Sequence, residues 1–358
     1  MKVLLLLSNI RYGGANKVMV ELGNYLAERE YQVCFITYGS DQCFYSYDHR
    51  IGRIFIKTKL DGIKKVRRLA QVLELRKILK RENADIIITF ENLAKLMAVL
   101  AVRFTKCKVL ISERMDPYNY RPNRKKALYF RYELADGCVF QTEKASEYFS
   151  KRVRKKSKVI PNFNMVNKAD WVEWNNRKDE IAFVGRFSVK QKRQDIMLEA
   201  FKDIIPQFPE MKLIFYGDGP DLERMQAYAG SLGIADNVVF AGVASNIPEL
   251  IKCSKLFVLT SDYEGIPNAL MEAMMIGIPS ISTNCSPGGA RLLIQNEVNG
   301  YLVPCGDVEA LSSAIINAIS NPHIAEKYAI CAQKSLERFS KSRILPQWEE
   351  YLNKVLES

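Results

Sequence analysis

Short apolar runs alternate with amphipathic segments along most of the chain. Lys2–Leu7 is an apolar run of strand length, and Ala15–Glu28 repeats apolar side chains at helical spacing. This alternation predicts parallel sheets with helices on both faces, and it places functional loops at the carboxyl ends of the strands. Further strands are predicted at Gln32–Tyr38, Asp85–Phe90, Lys108–Ser112, Gly137–Thr142, Glu180–Val184, Lys212–Gly217, Asn237–Gly242 and Lys255–Leu259.

The strand and helix pattern restarts after an irregular connector at residues 167–178. A chain of 358 residues is long enough to build two hydrophobic cores. We therefore expect an N-terminal domain at residues 1–165 and a C-terminal domain at residues 166–340. A last helix is predicted at Arg343–Leu356.

The stretch Ser261–Gly289 is the strongest candidate for chemistry. Asn268 is the predicted N-cap of a helix at Ala269–Ile276, and Gly277 is its predicted stop. A helix start that follows a strand and a tight loop offers free N–H groups to an anion.

Two carboxylates, Glu264 and Glu272, bracket this helix start. Because they would repel phosphate, we expect them to accept hydrogen bonds from sugar hydroxyls. The alternative is a helix-terminal charge and a solvated glutamate.

Two other strand-end loops carry candidate residues. Gly13 and Gly14 follow the first strand, but their spacing matches neither a P-loop nor a dinucleotide fingerprint. A simple loop glycine pair is the alternative. Arg186 and Lys192 follow the strand at Glu180–Val184 and could bind an anion, although Lys190 and Arg193 compete with Lys192 and a solvated basic loop is the alternative.

Charge is distributed unevenly around the net +12 of the chain. Up to Val166 there are 33 Lys and Arg against 16 Asp and Glu, a net +17. Residues 62–81 are predicted to form a basic amphipathic helix with an apolar stripe. We interpret it as a contact with an anionic membrane surface or another polyanion, against the alternative of a solvated face. The cations of this contact are Lys64, Lys65, Arg67 and Arg68.

The composition of the chain argues against disulfide bonds, a zinc site and a membrane span. The eight cysteines contain no C-x-x-C pair, which fits a reducing compartment with cysteines as small buried apolar residues. The two histidines lack metal-ligand spacing, so a zinc site is not expected. No signal peptide or membrane-spanning stretch is apparent, and we expect a soluble or peripheral protein.

Six motifs in order resemble the family 4 glycosyltransferases, which have the GT-B fold. They are Gly13-Gly14, Gly185-Arg186 followed by Lys192, Gly217–Pro220, Glu264-x7-Glu272, Gly288-Gly289 and Asn299–Val303. The resemblance implies two Rossmann-like domains with parallel sheets facing a cleft, and a last helix at 341–358 that returns to the first domain. One departure is that relatives often carry glutamate after the second glycine pair, where this chain has Arg291 and Leu292.

The resemblance also assigns roles. It implies catalytic roles for Glu264, Arg186 and Lys192, and acceptor contacts in the N-terminal half at Glu113 and Arg114, where relatives place a histidine or charged residue. The implied donor-binding residues are Gly13, Gly14, Gly217, Val243, Ile266, Asn268, Ala269 and Glu272.

The implied reaction is retaining transfer of a hexose or N-acetylhexosamine from a nucleotide sugar, most simply a UDP-sugar. Without a D-x-D motif, no metal or other cofactor is expected. The expected acceptor is a polyprenyl-diphosphate-linked or oligosaccharide glycan of bacterial polysaccharide synthesis, at the cytoplasmic face of the cell membrane. The alternatives are a basic polyanion-binding protein on this scaffold, for which no nucleic-acid module is present, and a GT-B epimerase or phosphorylase.

Overall fold

The computed structural model describes residues 1–11, 13–57, 64–120 and 122–358, without the side chains of residues 64, 65 and 122–127. The chain divides into two compact units. The first contains Met1–Phe163 and Ser342–Ser358, and the second contains Asn164–Lys341. The sequence pattern predicted boundaries at residues 165 and 340.

The first unit is built on a seven-stranded parallel sheet in the order β3-β2-β1-β4-β5-β6-β7. The strands are β1 Lys2–Leu7, β2 Gln32–Thr37, β3 Gly52–Phe55, β4 Ile86–Thr89, β5 Lys108–Ser112, β6 Gly137–Phe140 and β7 Ser157–Val159. The helices between them are α1 Gly14–Glu28, α2 Lys64–Arg81, α3 Asn92–Ala101, α4 Pro122–Leu134, α5 Glu143–Glu147 and α6 Lys151–Lys155.

The centre of this sheet is a continuous apolar layer. Val3–Leu6 and Ile86–Ile88 are fully buried, as expected for strands of a parallel sheet that is covered on both faces. The strand order reverses between β1 and β4, because the chain leaves β1 toward one edge and later returns to the other side of it. Such a reversal opens a crevice at the carboxyl ends of the two strands.

The second unit has a six-stranded parallel sheet in the order β10-β9-β8-β11-β12-β13. Its strand order reverses between β8 and β11. The strands are β8 Lys178–Val184, β9 Lys212–Tyr216, β10 Val238–Gly242, β11 Ser254–Leu259, β12 Ser280–Thr283 and β13 Tyr301–Val303. The helices are α7 Val189–Lys192, α8 Gln194–Ile204, α9 Leu222–Ser231, α10 Ile247–Ile251, α11 Asn268–Met275, α12 Gly289–Leu293, α13 Val308–Ser320 and α14 Pro322–Ser335.

The last helix, α15 (Lys341–Glu357), packs on the first unit through a buried aromatic face. Trp348 is 1% exposed and lies against Phe90, with 5.7 Å between ring centroids. The hydroxyl of Tyr351 donates to the carbonyl of Lys156 at 2.7 Å and accepts from the amide of Cys138 at 3.0 Å. These bonds use backbone groups at the junction of β6 and β7, and so fix the helix against that edge of the sheet.

The alternating parallel architecture is confirmed, but several details differ from the prediction. The strands β3, β7, β12 and β13 were not predicted, and each has only three or four residues in which to show a pattern. Asn268 was wrongly predicted as an N-cap: Pro267 occupies that position and Asn268 is already helical. The cysteines are not uniformly buried either, since Cys305 is exposed. Residues 62 and 63 of the predicted basic helix lie outside the described residues.

Candidate functional site

Two charged loops meet at the strand-order reversal of the second unit. The loop after β8 carries Arg186 and leads into α7, which ends at Lys192. The loop after β11 carries Glu264 and leads into α11. Because β8 and β11 are neighbours in the sheet, residues far apart in sequence come together at one crevice. Such a reversal is where open α/β sheets bind ligands.

Lys192 and Glu264 form an ion pair across this reversal. Their side chains are only 16% and 12% exposed, and the Oγ of Ser261 also donates to Glu264 at 2.9 Å. The pair therefore presents a lysine ammonium and a carboxylate at one point, in a position screened from much of the solvent.

The competing cations in the same loop are placed differently. Arg193 is paired with Asp195 and Asp262, and these hydrogen bonds raise its pKa above the usual range. Lys190 is exposed on α7. Lys192 is thus the lysine of this loop that contacts the Glu264 carboxylate. Its anion-binding role stays a prediction.

The two loops are tied together by contacts that the sequence did not reveal. The Oγ1 of buried Thr260 lies 2.8 Å from the carbonyls of both Lys192 and Arg193. The amide of Asp262 donates to Gln191 at 2.9 Å, and its carboxylate accepts from Arg193. Thr260 and Asp262 therefore hold the Lys192 loop in place. The sequence alone does not predict this role, because a single threonine or aspartate after a strand is not a distinctive motif.

Close backbone packing explains the second glycine pair. A Cβ at Gly289 would overlap the carbonyl oxygen of Gly265 in the Glu264 loop. The amide of Glu264 also donates to the carbonyl of Ser286 at 3.0 Å. This glycine lets the loop after β12 support the loop that carries Glu264.

The start of α11 completes the site. Ile266 is buried, whereas Asn268, Ala269 and Glu272 are half-buried on the first turns of the helix. A helix start of this kind favours an anion through its backbone amides, and Lys192 and Arg186 supply positive charge on the neighbouring loop.

The other predicted donor contacts of this unit lie on the loops after β9 and β10. Gly217 follows β9, and Val243 follows β10 and is 70% exposed. A Cβ at Gly217 would overlap the carbonyl oxygen of Gly185, so this glycine lets the loop after β9 approach the loop that carries Arg186.

The first unit has its own reversal between β1 and β4. Gly13 and Gly14 follow β1 at the start of α1. Glu91, which follows β4, accepts from the amide and hydroxyl of Ser8 at 3.0 and 2.8 Å and from the hydroxyl of Tyr38 at 2.9 Å. Sequence reasoning missed Glu91, although a carboxylate directly after a buried strand was a usable signal.

Of the predicted acceptor contacts, Glu113 lies in the interior of the first unit and Arg114 is half-buried. Glu113 is 2% exposed, and its carboxylate accepts from Lys95 (3.2 Å), Tyr132 (2.6 Å) and Tyr120 (3.2 Å). It also accepts from the amides of Arg114 and Met115. These bonds shape the loop after β5.

The guanidinium of Arg114 lies 4.1 Å from the ring centroid of Phe90 and 5.3 Å from that of Trp348, and it donates to Asn162 at 2.6 Å. Burial lowers the pKa of Arg114 to about 9. An acceptor contact by Glu113 or Arg114 stays a prediction.

The basic helix α2 has two different faces. Val72, Leu75, Ile78 and Leu79 are buried, and the helix packs against α3. The opposite face exposes Val66, Leu69 and Leu73 by 44%, 63% and 48%. Arg67 and Arg68 are exposed as well, and Arg68 lines a cavity with Tyr38 and Leu93. The side chains of Lys64 and Lys65 are not among those that the structure describes. A membrane contact by these four cations stays a prediction.

Two searches of the described residues were negative. In the ranges that the structure describes, no group of three or more His, Cys, Asp and Glu side chains could hold a metal ion. Within the same ranges, no helix is both long and apolar enough to cross a membrane.

Comparison with protein families decides the classification. Residues 12–163 match the model described as Glycosyltransferase Family 4, and residues 168–338 match the model described as Glycosyl transferases group 1. The chain belongs to the family 4 glycosyltransferases. This glycosyltransferase therefore transfers sugar, and the order of its motifs reflects the architecture of that family.

Known proteins similar to this glycosyltransferase cover almost its whole length. An uncharacterized glycosyltransferase of Haemophilus influenzae is 24% identical over 95% of this chain and 96% of its own. The Campylobacter jejuni enzyme named GalNAc-α-(1→4)-GalNAc-α-(1→3)-diNAcBac-PP-undecaprenol α-1,4-N-acetyl-D-galactosaminyltransferase is 23% identical over 99% of both chains. Anabaena HepE, solved in complex with UDP and glucose, superposes with a TM-score of 0.82 at 19% identity, over 99% of this chain and 100% of its own. The fold is GT-B.

Proposed function

We propose that this glycosyltransferase moves a hexose or N-acetylhexosamine, with retention of anomeric configuration, from a UDP-sugar to a polyprenyl-diphosphate-linked glycan. The observation that carries the proposal is the Lys192–Glu264 pair at the strand-order reversal, beside the start of α11. That arrangement supplies a cation and the positive end of a helix for a diphosphate, and a carboxylate for sugar hydroxyls.

Each residue has a defined role in the proposed reaction. Arg186, Lys192 and the first amides of α11 stabilise the negative charge that develops on the leaving diphosphate. Glu264 accepts hydrogen bonds from the transferred sugar, and Glu272 accepts hydrogen bonds from the ribose. With these cations on the diphosphate, no divalent metal is needed.

The proposed chemistry exchanges one bond for another at the anomeric carbon. The bond from that carbon to the diphosphate oxygen breaks, and a bond to the acceptor hydroxyl oxygen forms on the same face of the sugar. The acceptor proton passes to the oxygen of the leaving diphosphate. No histidine is involved, since His49 and His323 lie in neither strand-end loop of the site.

The acceptor class and location rest on two supports. The Campylobacter jejuni relative is named for a PP-undecaprenol-linked glycan, and Anabaena HepE was solved with UDP and glucose. The first unit of this chain also carries a basic helix with an exposed apolar face. We therefore propose a peripheral enzyme at the cytoplasmic face of the membrane, with Lys64, Lys65, Arg67 and Arg68 at the lipid surface.

A product screen tests the proposal. The full chain is incubated with each of a panel of UDP- and GDP-sugars and short-chain polyprenyl-diphosphate-linked saccharides, and products are identified by mass spectrometry. We expect one added sugar from a UDP donor, with the anomeric configuration of the donor in the NMR spectrum of the product. Inverted configuration contradicts the retaining mechanism, and transfer only to acceptors without a diphosphate contradicts the acceptor class.

A further inference from the structure

The loop after β5 exposes a residue other than the two predicted acceptor contacts. Glu113 and Arg114 face inward, whereas Tyr118 is 44% exposed. The loop lies at the carboxyl edge of the sheet, and β5 pairs with β4, one of the two strands at the reversal. An aromatic ring is thus presented to solvent at the edge where ligands of such sheets bind.

The Tyr118 ring is held by two side-chain contacts, on a backbone that Asp116 fixes. Its amide donates to the carboxylate of buried Asp116 at 2.9 Å, and its hydroxyl donates to the carbonyl of Lys144 at 3.1 Å. Its ring packs edge-on against Tyr148, with 4.9 Å between centroids. Tyr148 in turn stacks on Tyr129 at 5.7 Å.

These contacts fix an aromatic ring that remains partly exposed to solvent. A rigid aromatic ring loses little conformational entropy when a ligand stacks on it. One face of a pyranose carries C–H groups, whose positive ends are attracted to the negative face of an aromatic ring. The sugar hydroxyls meanwhile point outward, where water and side chains such as exposed Asn119 can bind them.

The residues next to Tyr118 in sequence are not basic, since residues 115–120 contain no lysine or arginine and include Asp116. Exposed Lys144, whose carbonyl binds the Tyr118 hydroxyl, is a cation of the neighbouring segment. Binding to anionic lipid is therefore one of the outcomes that the experiment below distinguishes.

We propose that Tyr118 is a stacking platform for a sugar ring of the acceptor glycan. This proposal rests on the proposed function, because the sugar that stacks on Tyr118 is taken to be part of the acceptor substrate of that reaction. Glu113 acts through the loop as a positioning residue, since its bonds to Tyr120 and to the amides of Arg114 and Met115 set the course of the chain toward Tyr118.

Kinetics of the full chain test the proposal with the donor and acceptor pair that gives product. Tyr118→Ala is expected to raise KM for the acceptor by about tenfold, as loss of one stacking contact predicts, with KM for the donor unchanged. Tyr118→Leu keeps apolar volume but lacks a ring face, and is expected to behave like Tyr118→Ala. Tyr118→Trp is expected to retain the acceptor KM.

Phe104→Ala is the matched control, because Phe104 is another exposed aromatic residue, 95% accessible, in the loop that precedes β5 at the opposite edge of the sheet. It is expected to leave both KM values unchanged. An acceptor KM in Tyr118→Ala equal to that of the wild type overturns the platform.

Binding without turnover separates this proposal from the proposed function. Saturation-transfer NMR with farnesyl-diphosphate-linked N-acetylglucosamine is recorded on the wild type, Tyr118→Ala and Phe104→Ala. We expect saturation of the ring C–H protons in the wild type and Phe104→Ala, and its loss in Tyr118→Ala. Unchanged saturation in Tyr118→Ala overturns the platform even where no transfer occurs. Reduced binding of Tyr118→Ala to anionic liposomes, with saturation retained, assigns the residue to a membrane instead.

Discussion

Lys192 and Glu264 are charged side chains that share a site with little access to water. Lys192 neutralises Glu264, and a diphosphate that enters the site must share that cation with the carboxylate. Because a charge left without its partner in such a position keeps its desolvation cost, substitution of either residue is expected to affect more than one contact.

Substitution of Glu264 and of Glu272 by alanine is expected to affect different steps of the reaction. Glu272→Ala should weaken nucleotide binding, and Glu264→Ala should mainly reduce kcat. Loss of a hydrogen bond to a charged group costs roughly 1.5–3 kcal/mol, or about tenfold to a hundredfold. Nucleotide affinity from titration calorimetry and kcat from product formation distinguish the two, and wild-type transfer by both variants means that the site is wrongly assigned.

The two cations are expected to be essential for the leaving group. Arg186→Ala and Lys192→Ala should each reduce kcat by about a hundredfold or more, because each leaves the developing charge without a preorganised partner. Lys190→Ala is the matched control, since Lys190 is an exposed cation of the same loop. Equal losses in Lys190→Ala and Lys192→Ala would show a general effect of loop charge.

Transfer is expected to proceed without a divalent metal, since we propose that Arg186 and Lys192 carry the role that Mg²⁺ has elsewhere. The measurement is the rate of product formation after dialysis against excess EDTA. Loss of activity after this dialysis, with recovery on addition of Mg²⁺ or Mn²⁺, would contradict this prediction.

At the scale of elements, the site depends on how strand-end loops pack on one another. The loop after β12 supports the loop after β11, which in turn is tied to the loop after β8 through Thr260 and Asp262. A change in a loop that contacts no substrate can therefore displace the residues that do.

Gly289→Ala tests this dependence. Its Cβ would overlap the carbonyl oxygen of Gly265, and overpacking of this kind typically costs about 1–3 kcal/mol. We expect a lower Tm and weaker nucleotide binding. Gly230→Ala in α9 is the control, because its Cβ meets no atom within 4 Å and helical alanine is favoured. Nucleotide affinity unchanged in Gly289→Ala would contradict the supporting role of this loop.

At the scale of the whole molecule, positive charge is concentrated in one part of the chain. The net charge is +17 up to Val166 and +12 overall, so the remainder is acidic. In α2, Arg67 and Arg68 are exposed, as are the apolar side chains Val66, Leu69 and Leu73. Cations next to an apolar surface suit anionic headgroups with shallow insertion.

Replacement of Lys64, Lys65, Arg67 and Arg68 by glutamine is expected to release the protein from anionic liposomes in a sedimentation assay. Each basic residue near the surface contributes about 1 kcal/mol. Nucleotide binding should be retained, because the proposed nucleotide site lies in the second unit. The same number of glutamines at Lys190, Lys202, Lys252 and Lys334 is the charge-matched control.

High salt is expected to weaken wild-type binding to anionic liposomes, because surface charges are screened within about 8 Å at physiological ionic strength. Equal binding to neutral and anionic liposomes would contradict the membrane contact and would favour the alternative of a solvated basic face.

The sequence by itself determined the architecture and the order of the site loops. Buried strands of a parallel sheet form continuous apolar runs, and the loops at their carboxyl ends must lie at one edge, so Arg186, Glu264 and the start of α11 could be placed together without coordinates. The strand-length run at Lys2–Leu7 was predicted without error for the same reason.

Only the tertiary structure decided which charged groups meet. Lys192 and Glu264 are 72 residues apart, and no local pattern distinguishes Lys192 from Arg193, whose charge is bound by Asp195 and Asp262. The inward orientation of Glu113 and Arg114 depends likewise on Lys95, Tyr132 and Trp348, which other helices supply. Local sequence sets the period of an element, but the partner of a side chain depends on which distant element packs beside it.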